Sequence, residues 1–326
     1  MINRGLLIIL AIAASLGLWF AISVIKSDKS IEGKKSVMIL QIVEHPALDA
    51  TRMGIEKYLY DCCNITTLHE SAQGDPALAS QIAQKFAQQK PAAVVTIGTI
   101  ATQSAMQKIT SIPIVFSSVT DPLGSGIVKN LNAPEANVTG VSNYVSTKTQ
   151  LEIFIKFLPN LKNIGFIYNP GESNSIRLLA DTKEAATGMG LNIVEVVANS
   201  SSEVSTAATS LIGKVDAIFI NNDSTALSAI QSIVRVAEHN NIPVLCSDID
   251  TVNNGVMLSV GPNQFDIGVA TGEIVEQIIE KGVKISKIPV TYPKELITRV
   301  NLKAATQINI TLPTDLLKSE SVEVVG

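Results

Sequence analysis

The stretch IPIVFSSVTD, residues 112–121, returns about 130 residues later as IPVLCSDID, residues 242–250. Each copy begins with an apolar run of the kind that forms a buried parallel strand and then turns polar. Four earlier segments of the chain recur in the same order at nearly the same offset, and NIGFIYN (163–169) echoes SVMILQIV (36–43) among them. A repeat of five elements predicts two similar halves.

Within each half, strand-like runs alternate with amphipathic helical stretches, which is the pattern of βαβ units in a parallel sheet. In the first half we predict strands at 36–43, 64–70, 91–98 and 112–119 and helices at 48–61, 75–90 and 99–110. In the second half we predict strands at 163–169, 192–197, 215–223 and 242–250 and helices at 175–190, 201–214 and 224–240. The predicted fold class is α/β, with two Rossmann-like doubly wound parallel-sheet lobes and a ligand cleft between them.

The N-terminus carries LLIILAIAASLGLWFAISVI, residues 6–25, without a charged side chain. About 20 apolar residues in a helix span the ~30 Å hydrocarbon core of a bilayer. We therefore predict that residues 1–35 are a membrane anchor or signal segment with a linker. An uncleaved anchor is preferred to a cleaved signal peptide, because the apolar run exceeds the usual ~7–15 residues. The remaining chain is then expected outside the cytoplasm, in the periplasm or on the outer face of the cytoplasmic membrane.

Composition and missing motifs argue against several functions. A net charge of −4 and a pI near 5.5 give no basic surface, so nucleic acid is not an expected partner. The chain has no nicotinamide-binding glycine motif after its first strand, no phosphate-binding P-loop and no nucleophile elbow, so we expect neither a cofactor nor an enzyme. Cys62, Cys63 and Cys246 fit neither a zinc site nor a disulfide framework. We expect no metal, and we expect all three to be buried or half-buried thiols.

Polar residues follow the predicted strands at 44–49, 98–102, 117–122, 168–175, 221–226 and 247–251. Ligands of such sheets bind beyond the carboxyl ends of the strands. His45 is predicted to lie on the lip of this cleft. The other candidate ligand-binding side chains are carboxylates, polar groups at helix N-termini and flat aromatic walls: Thr99, Thr102, Asp121, Tyr144, Tyr168, Glu172, Ser173, Asn174, Ser175, Asp223, Thr225 and Asp248.

These loops contain several carboxylates and no lysine or arginine. They therefore favour a ligand with a cationic or multiply donating group, and a zwitterionic amino acid fits best, while a neutral sugar stays open. We expect Asp223 and Asp248 to bind the ammonium group of the amino acid. Ser175 and nearby backbone amides are expected to bind its carboxylate.

A set of motifs resembles the extracytoplasmic solute-binding components of ABC transporters, more narrowly the branch that includes tryptophan-binding and phenylalanine-binding proteins. The motifs are QIVEHPALDA, AQGDP, IPIVFSSVTDPLGSGIV, NVTGVS, YNPGESNS and KVDAIFINNDST. The resemblance covers about residues 37–312, and it implies the type I periplasmic-binding fold, in which the chain crosses between the lobes three times. Lobe 1 would contain residues 36–143 plus about 266–290, and lobe 2 residues 144–265 plus about 291–326.

The same resemblance implies that the chain binds an aromatic or related amino acid as lobes close and delivers it to a permease and its ATPase. It assigns ligand contacts to residues in the family's loop motifs: His45, Thr99, Asp121, Tyr168, Glu172, Ser175, Asp223 and Asp248. Many such proteins carry a lipidated N-terminal cysteine, whereas no cysteine precedes Cys62 here. A ligand-sensing module that reports to a membrane partner is the alternative function.

Overall fold

The apolar runs of the first half form a parallel sheet whose central strands are buried along their full length. The structure is a computed structural model that describes residues 36–134 and 136–326. The strand order is β2-β1-β3-β4-β5. The strands are β1 (Val37–Gln41), β2 (Thr67–Ser71), β3 (Ala93–Ile97), β4 (Ile114–Ser117) and β5 (Val138–Val141), and the helices between them are α1 (Pro46–Cys63), α2 (Pro76–Gln89) and α3 (Thr99–Lys108).

The second half builds a seven-stranded sheet in the order β12-β11-β10-β9-β8-β6-β7, in which only the β10–β11 pair is antiparallel. Its strands are β6 (Asn163–Tyr168), β7 (Asn192–Val197), β8 (Ala217–Ile220), β9 (Val244–Cys246), β10 (Leu258–Gly261), β11 (Ile297–Asn301) and β12 (Val322–Val325). The helices are α4 (Thr147–Phe157), α5 (Ser173–Met189), α6 (Val204–Ser210), α7 (Ser224–Ser228), α8 (Ile230–His239), α9 (Gln264–Ile279), α10 (Leu302–Gln307) and α11 (Thr314–Leu317).

The chain passes between the two sheets at three places. Residues 142–146 follow β5 and lead into α4, which packs on β10 of the second sheet. Residues 262–263 lead back into α9, which packs along α1, and residues 291–296 lead to β11 beside β10. We call the parts around the first and second sheet lobe 1 and lobe 2. Residues Ser36–Gly326 form one compact unit, so the exact lobe boundaries stay a prediction.

The predicted α/β class with two mainly parallel sheets is confirmed. One boundary differs, because the helix expected over 224–240 is two helices, α7 and α8, that meet at Ala229, where φ is −111° and ψ is 20°. This backbone conformation lies outside the α-helical region, so the helix cannot continue through it. The predicted anchor at residues 6–25 falls outside the described residues.

The expectation for the cysteines is correct for one residue and wrong for two. Cys246 in β9 is a buried free thiol. Cys62 and Cys63 are joined by a disulfide at the end of α1. The prediction of thiols rested on the lack of a disulfide framework in the sequence, whereas these two neighbours pair with each other. Cys62 is also exposed rather than buried.

Candidate functional site

A small cavity lies between the carboxyl ends of the two sheets. Lobe 1 and the first crossing segment contribute His45, Ala47, Leu48, Gly98, Thr99, Ser118, Thr120, Asn143 and Gln264, and lobe 2 contributes Asn174, Asn222, Ser224 and Leu227. Its volume of ≈ 20 Å³ holds about one water molecule. The lining is polar, but none of these side chains is Asp, Glu, Lys or Arg.

The backbone at the strand ends brings these side chains into the cavity. His45 is the N-cap residue of α1, immediately before Pro46 at the first helical position. Gly98 joins β3 to α3 with a φ of 98°, and a Cβ there would collide with the Ile42 side chain. Ser118 follows β4 with a φ of 54°, in the left-handed region that few residues other than glycine adopt. These tight turns place α1, α3 and Ser118 around one point.

His45 is the one ionisable side chain of the cavity lining. The residue is 5% exposed, and its Nδ1 has no hydrogen-bond partner among the described residues. Burial lowers the pKa of His45 to about 4, because the imidazolium would lose its hydration. The imidazole is therefore neutral near pH 7, and the cavity lining carries no net charge.

A pair of buried carboxylates, Glu172 and Asp223, lies behind the lobe 2 side of the cavity. Glu172 accepts hydrogen bonds from the amides of Ser224 and Thr225 and from the Thr225 hydroxyl, all at 2.8–2.9 Å. This carboxylate therefore holds the start of α7.

Asp223 accepts hydrogen bonds from Asn169 N, Ser175 Oγ and Ala226 N at 2.6–2.7 Å. Burial and then the nearby Glu172 raise the pKa of Asp223 to about 7. Both carboxylates thus have protein donors and brace the loop 221–226. Ser175, expected to bind a ligand carboxylate, donates to Asp223 in this structure.

Asp248 is fully buried and is not among the residues that line the cavity. One of its oxygens accepts from the amide of Asp250, and Oδ2 has no partner among the described residues. Burial and then the charge of Asp250 raise the pKa of Asp248 to about 7, against the opposing effect of Arg299. Asp248 is the N-cap of the 3₁₀ helix Ile249–Asn254, which packs against α1 of lobe 1.

The remaining predicted residues have other neighbours. The Thr102 hydroxyl forms hydrogen bonds with the Thr96 hydroxyl and with the carbonyl of Gly98 inside lobe 1. Tyr144 donates to Asp181, while Tyr168 packs against the lobe 2 core. Ser173 has a buried Oγ without a partner among the described residues. Of the predicted set, the structure therefore brings His45, Thr99 and Asn174 to the cavity.

A wider groove continues from the cavity and shares Ser224 with it. Its volume is ≈ 440 Å³. The lobe 1 wall is mainly apolar, with Ile42, Val43, Pro76 and Ile100, and the lobe 2 wall is polar, with Asn169, Glu172, Asn199, Ser200, Ser201, Thr225 and Ser228. Glu172 and Thr225 of the predicted set therefore lie here.

An ion pair joins the lobes at the edge of the cleft. Arg177 in α5 donates to Asp121 Oδ2, in the loop after β4, at 3.2 Å, and to Asp181 at 2.8 Å within its own helix. Asp121 also accepts from the amide of Gly124. Asp121, which was predicted to contact a ligand, contacts the opposite lobe in this structure.

Six polar residues that line the cavity were not among the ligand contacts predicted from the sequence. Four of them lie in strand-end loops that the sequence analysis identified as polar: Ser118, Thr120, Asn222 and Ser224. The sequence therefore indicated the correct loops but not these individual residues. Asn143 and Gln264 are different, because Asn143 lies in the first crossing segment and Gln264 begins α9 directly after the second. No pattern within either half indicates them.

In the part of the chain that the structure describes, no group of three His, Cys, Asp or Glu side chains is placed to hold a metal ion. No helix of the described residues has both the length and the hydropathy needed to cross a membrane.

Comparisons with known proteins agree on one family. The family described as "ABC transporter substrate binding protein" matches residues 36–324. A tyrosine-binding protein of Clostridioides difficile (strain R20291) is 34% identical over 263 residues, which cover 79% of this chain and 76% of that protein. A crystal structure of an ABC domain from Streptococcus pneumonia in complex with L-Trp is 30% identical, with a TM-score of 0.85 over 90% of this chain and 100% of that one.

A ligand-free, open structure of a Clostridium difficile substrate-binding protein is 33% identical, with a TM-score of 0.67 over 89% of this chain and 99% of that one. The two identities are close, yet the TM-score with the L-Trp complex is much higher.

Proposed function

The chain belongs to the family of ABC transporter substrate-binding proteins, and from this premise we propose that it binds an aromatic amino acid between its lobes. The family resemblance and the type I periplasmic-binding fold expected from the motifs are confirmed. The observation that carries the proposal is a polar cavity at the carboxyl ends of both sheets, in a chain whose relatives include a tyrosine-binding protein and an L-Trp complex.

The shape of the cleft supports a ligand with a polar head and a flat apolar side chain. The cavity offers hydrogen-bonding groups from both lobes, and the adjoining groove offers the apolar wall Ile42, Val43, Pro76 and Ile100. In this arrangement the amino-acid head occupies the cavity and the aromatic ring lies in the groove. His45, Thr99 and Asn174 contact the ligand, while Glu172, Ser175, Asp223 and Thr225 hold the loop that presents it.

Binding is coupled to the separation of the lobes. A cavity of ≈ 20 Å³ holds about one water molecule, so the lobes must lie further apart in the complex than in this structure to hold the amino-acid head. A ligand that contacts both lobes then favours the closed arrangement, because it gains contacts there that the open arrangement lacks. The closed form is the state that a permease and its ATPase partner receive, with the chain outside the cytoplasm and tethered by residues 6–25.

The proposal is tested by thermal unfolding of the purified full-length protein with each of the twenty amino acids. A ligand present at about 100 times its Kd stabilises the folded state by about 2.7 kcal/mol. For a chain of this size this should raise the Tm by roughly 5 °C. We expect such a rise with Trp, Tyr or Phe and not with acidic or basic amino acids. If no aromatic amino acid raises the Tm, the proposed ligand class is wrong.

A further inference from the structure

Four amide side chains line the cavity, and a hydroxyl group engages the oxygen of three of them. Thr120 donates to Asn143 Oδ1 at 3.1 Å, and Ser247 donates to Asn222 Oδ1 at 2.9 Å. The oxygen of Gln264 accepts from Thr51 and Ser118 at 3.2–3.3 Å. A carboxamide has one oxygen and one NH₂ group, so an engaged oxygen leaves the two N–H donors to face the remaining space. All three side chains therefore offer donors to the cavity.

Asn174 has the opposite orientation. Its NH₂ group donates to the backbone carbonyl of Asn222 at 2.7 Å and to Glu172 Oε2 at 3.4 Å. Neither partner can donate in return, so Oδ1 is the atom left for the cavity. Asn174 is 6% exposed and directly precedes Ser175 on α5. The cavity thus has one amide acceptor and three amide donors.

This distribution of donors and acceptors suits a carboxylate. The ligand group that meets the three NH₂ groups must supply several acceptor atoms, and a carboxylate has two oxygens with about four acceptor positions. Hydrogen bonds from neutral amides to a carboxylate are charge-assisted and stronger than those between neutral groups. A zwitterion also enters an uncharged cavity without burying a net charge, which would be costly.

We propose that Asn143, Asn222 and Gln264 form the subsite for the carboxylate of the ligand, an inference that rests on the proposed binding of an amino acid. Asn174 Oδ1 accepts from the ligand ammonium, with Glu172 behind it. The subsite takes Gln264 from lobe 1 and Asn222 from lobe 2. A bound carboxylate therefore links the lobes and favours closure.

Ligand analogues test the subsite on the unmodified protein. Tryptamine lacks the carboxylate of L-Trp, and indole-3-propionate lacks its ammonium group. A site built to hydrogen-bond a group rejects analogues that lack it, because its buried polar atoms are then left unpaired. By calorimetry we expect tryptamine to bind at least about 30-fold more weakly than L-Trp and more weakly than indole-3-propionate. The matching L-Tyr series, with tyramine and 3-(4-hydroxyphenyl)propionate, is measured in parallel.

Two variants test the assigned residues. Gln264→Glu and Asn222→Asp keep the shape and the engaged oxygen but place a carboxylate oxygen where the NH₂ group faces the ligand. Each should weaken L-Trp or L-Tyr binding at least about 30-fold, since like charges are then forced together. The control is Gln84→Glu, which makes the same charge change on the exposed face of α2 and should leave the affinity within about twofold.

The outcomes separate this inference from the proposed function. If neither L-Trp, L-Tyr nor L-Phe binds the unmodified protein, the proposed function fails. If amino acids bind but tryptamine binds at least as tightly as indole-3-propionate, the carboxylate subsite is wrong and the proposed function stands. The same conclusion follows if both folded variants keep the affinity of the unmodified protein. Should a variant fail to fold, the analogue series decides alone.

Discussion

At the scale of the residue, the cleft has polar atoms of two kinds, those with protein partners and those without. Asp223 and Asn222 are neighbours in the loop after β8, yet Asp223 accepts from three protein donors while Asn222 lines the cavity. Its charge alone would have predicted Asp223, rather than Asn222, as a ligand contact. Because the carboxylate of Asp223 already has three protein donors, Asn222 is the residue of the two with hydrogen-bonding groups left for the cavity.

Two buried aspartates should make the stability of the fold depend on pH. The pKa values of Asp223 and Asp248 rise from 3.8 to about 7, so the folded state binds these protons more tightly than the unfolded state does. The stability that they contribute is fully present below about pH 4 and is lost as the pH rises through about 7. We expect the Tm to fall between pH 5 and pH 8, as followed by circular dichroism.

The substitution Asp248→Asn distinguishes the contribution of Asp248 to the pH dependence of stability from that of Asp223. Asparagine keeps the oxygen that accepts from the amide of Asp250 but cannot ionise. The variant should therefore show a smaller fall of Tm between pH 5 and pH 8. Asp315→Asn, on the exposed helix α11, is the control and should keep the profile of the unmodified protein. A profile that Asp248→Asn leaves unchanged would show that Asp248 does not titrate in this range.

At the scale of the element, the contact between α1 and α9 positions the site. Helix α1 carries His45 at its N-cap, and α9 begins with Gln264. The two helices approach so closely that a Cβ at Gly54 would collide with the carbonyl of Phe265, and one at Gly268 with the carbonyl of Thr51. Thr51 also donates to Gln264. The glycines are therefore required for this helix contact.

Gly268→Ala should separate these helices and destabilise the protein. Inserting a methyl group into a packed contact costs about 1–3 kcal/mol. We expect a loss of this size in the free energy of unfolding by urea titration. Gly188→Ala is the matched control, because a Cβ there meets no atom within 4 Å and alanine is the better helix former. Equal effects of the two substitutions would contradict a close contact at Gly268.

At the scale of the whole molecule, the ion pair between Asp121 and Arg177 joins lobes that the ligand must also join. The pair lies outside the cavity and is half exposed on the arginine side, so it is screened by salt. Exposed ion pairs contribute about 0–1 kcal/mol. Its effect on the closed arrangement is therefore modest and dependent on ionic strength.

Arg177→Ala should weaken ligand binding by roughly two- to fivefold at low ionic strength, although Arg177 does not line the cavity. The loss should shrink as salt is added, since the ion pair is then already screened. Lys183→Ala is the control on the same helix, because Lys183 pairs with Glu195 inside lobe 2. Titration calorimetry at two salt concentrations measures both. An equal loss for the two variants would exclude a specific role for the bridge between lobes.

The sequence by itself determined the α/β class, the repeated halves, the family and the loops at which the site lies. Hydrophobic periodicity and the repeat carry this information, because a buried parallel strand requires an uninterrupted apolar run. Ligands of such sheets bind beyond the carboxyl ends of the strands, so the strand ends indicate the loops of the site. It determined less at single residues. The split between α7 and α8 and the Cys62–Cys63 disulfide depend on local backbone geometry that residue types do not specify.

Only the tertiary structure decided which polar side chains face the cavity. A sequence states what each side chain can donate or accept, but not which of those bonds are already made inside the protein. Ser175 donates to Asp223, Asp121 pairs with Arg177, Asn143 lies in the first crossing segment and Gln264 begins the helix after the second. The site is therefore defined by the hydrogen bonds that remain unmade once the two lobes have folded.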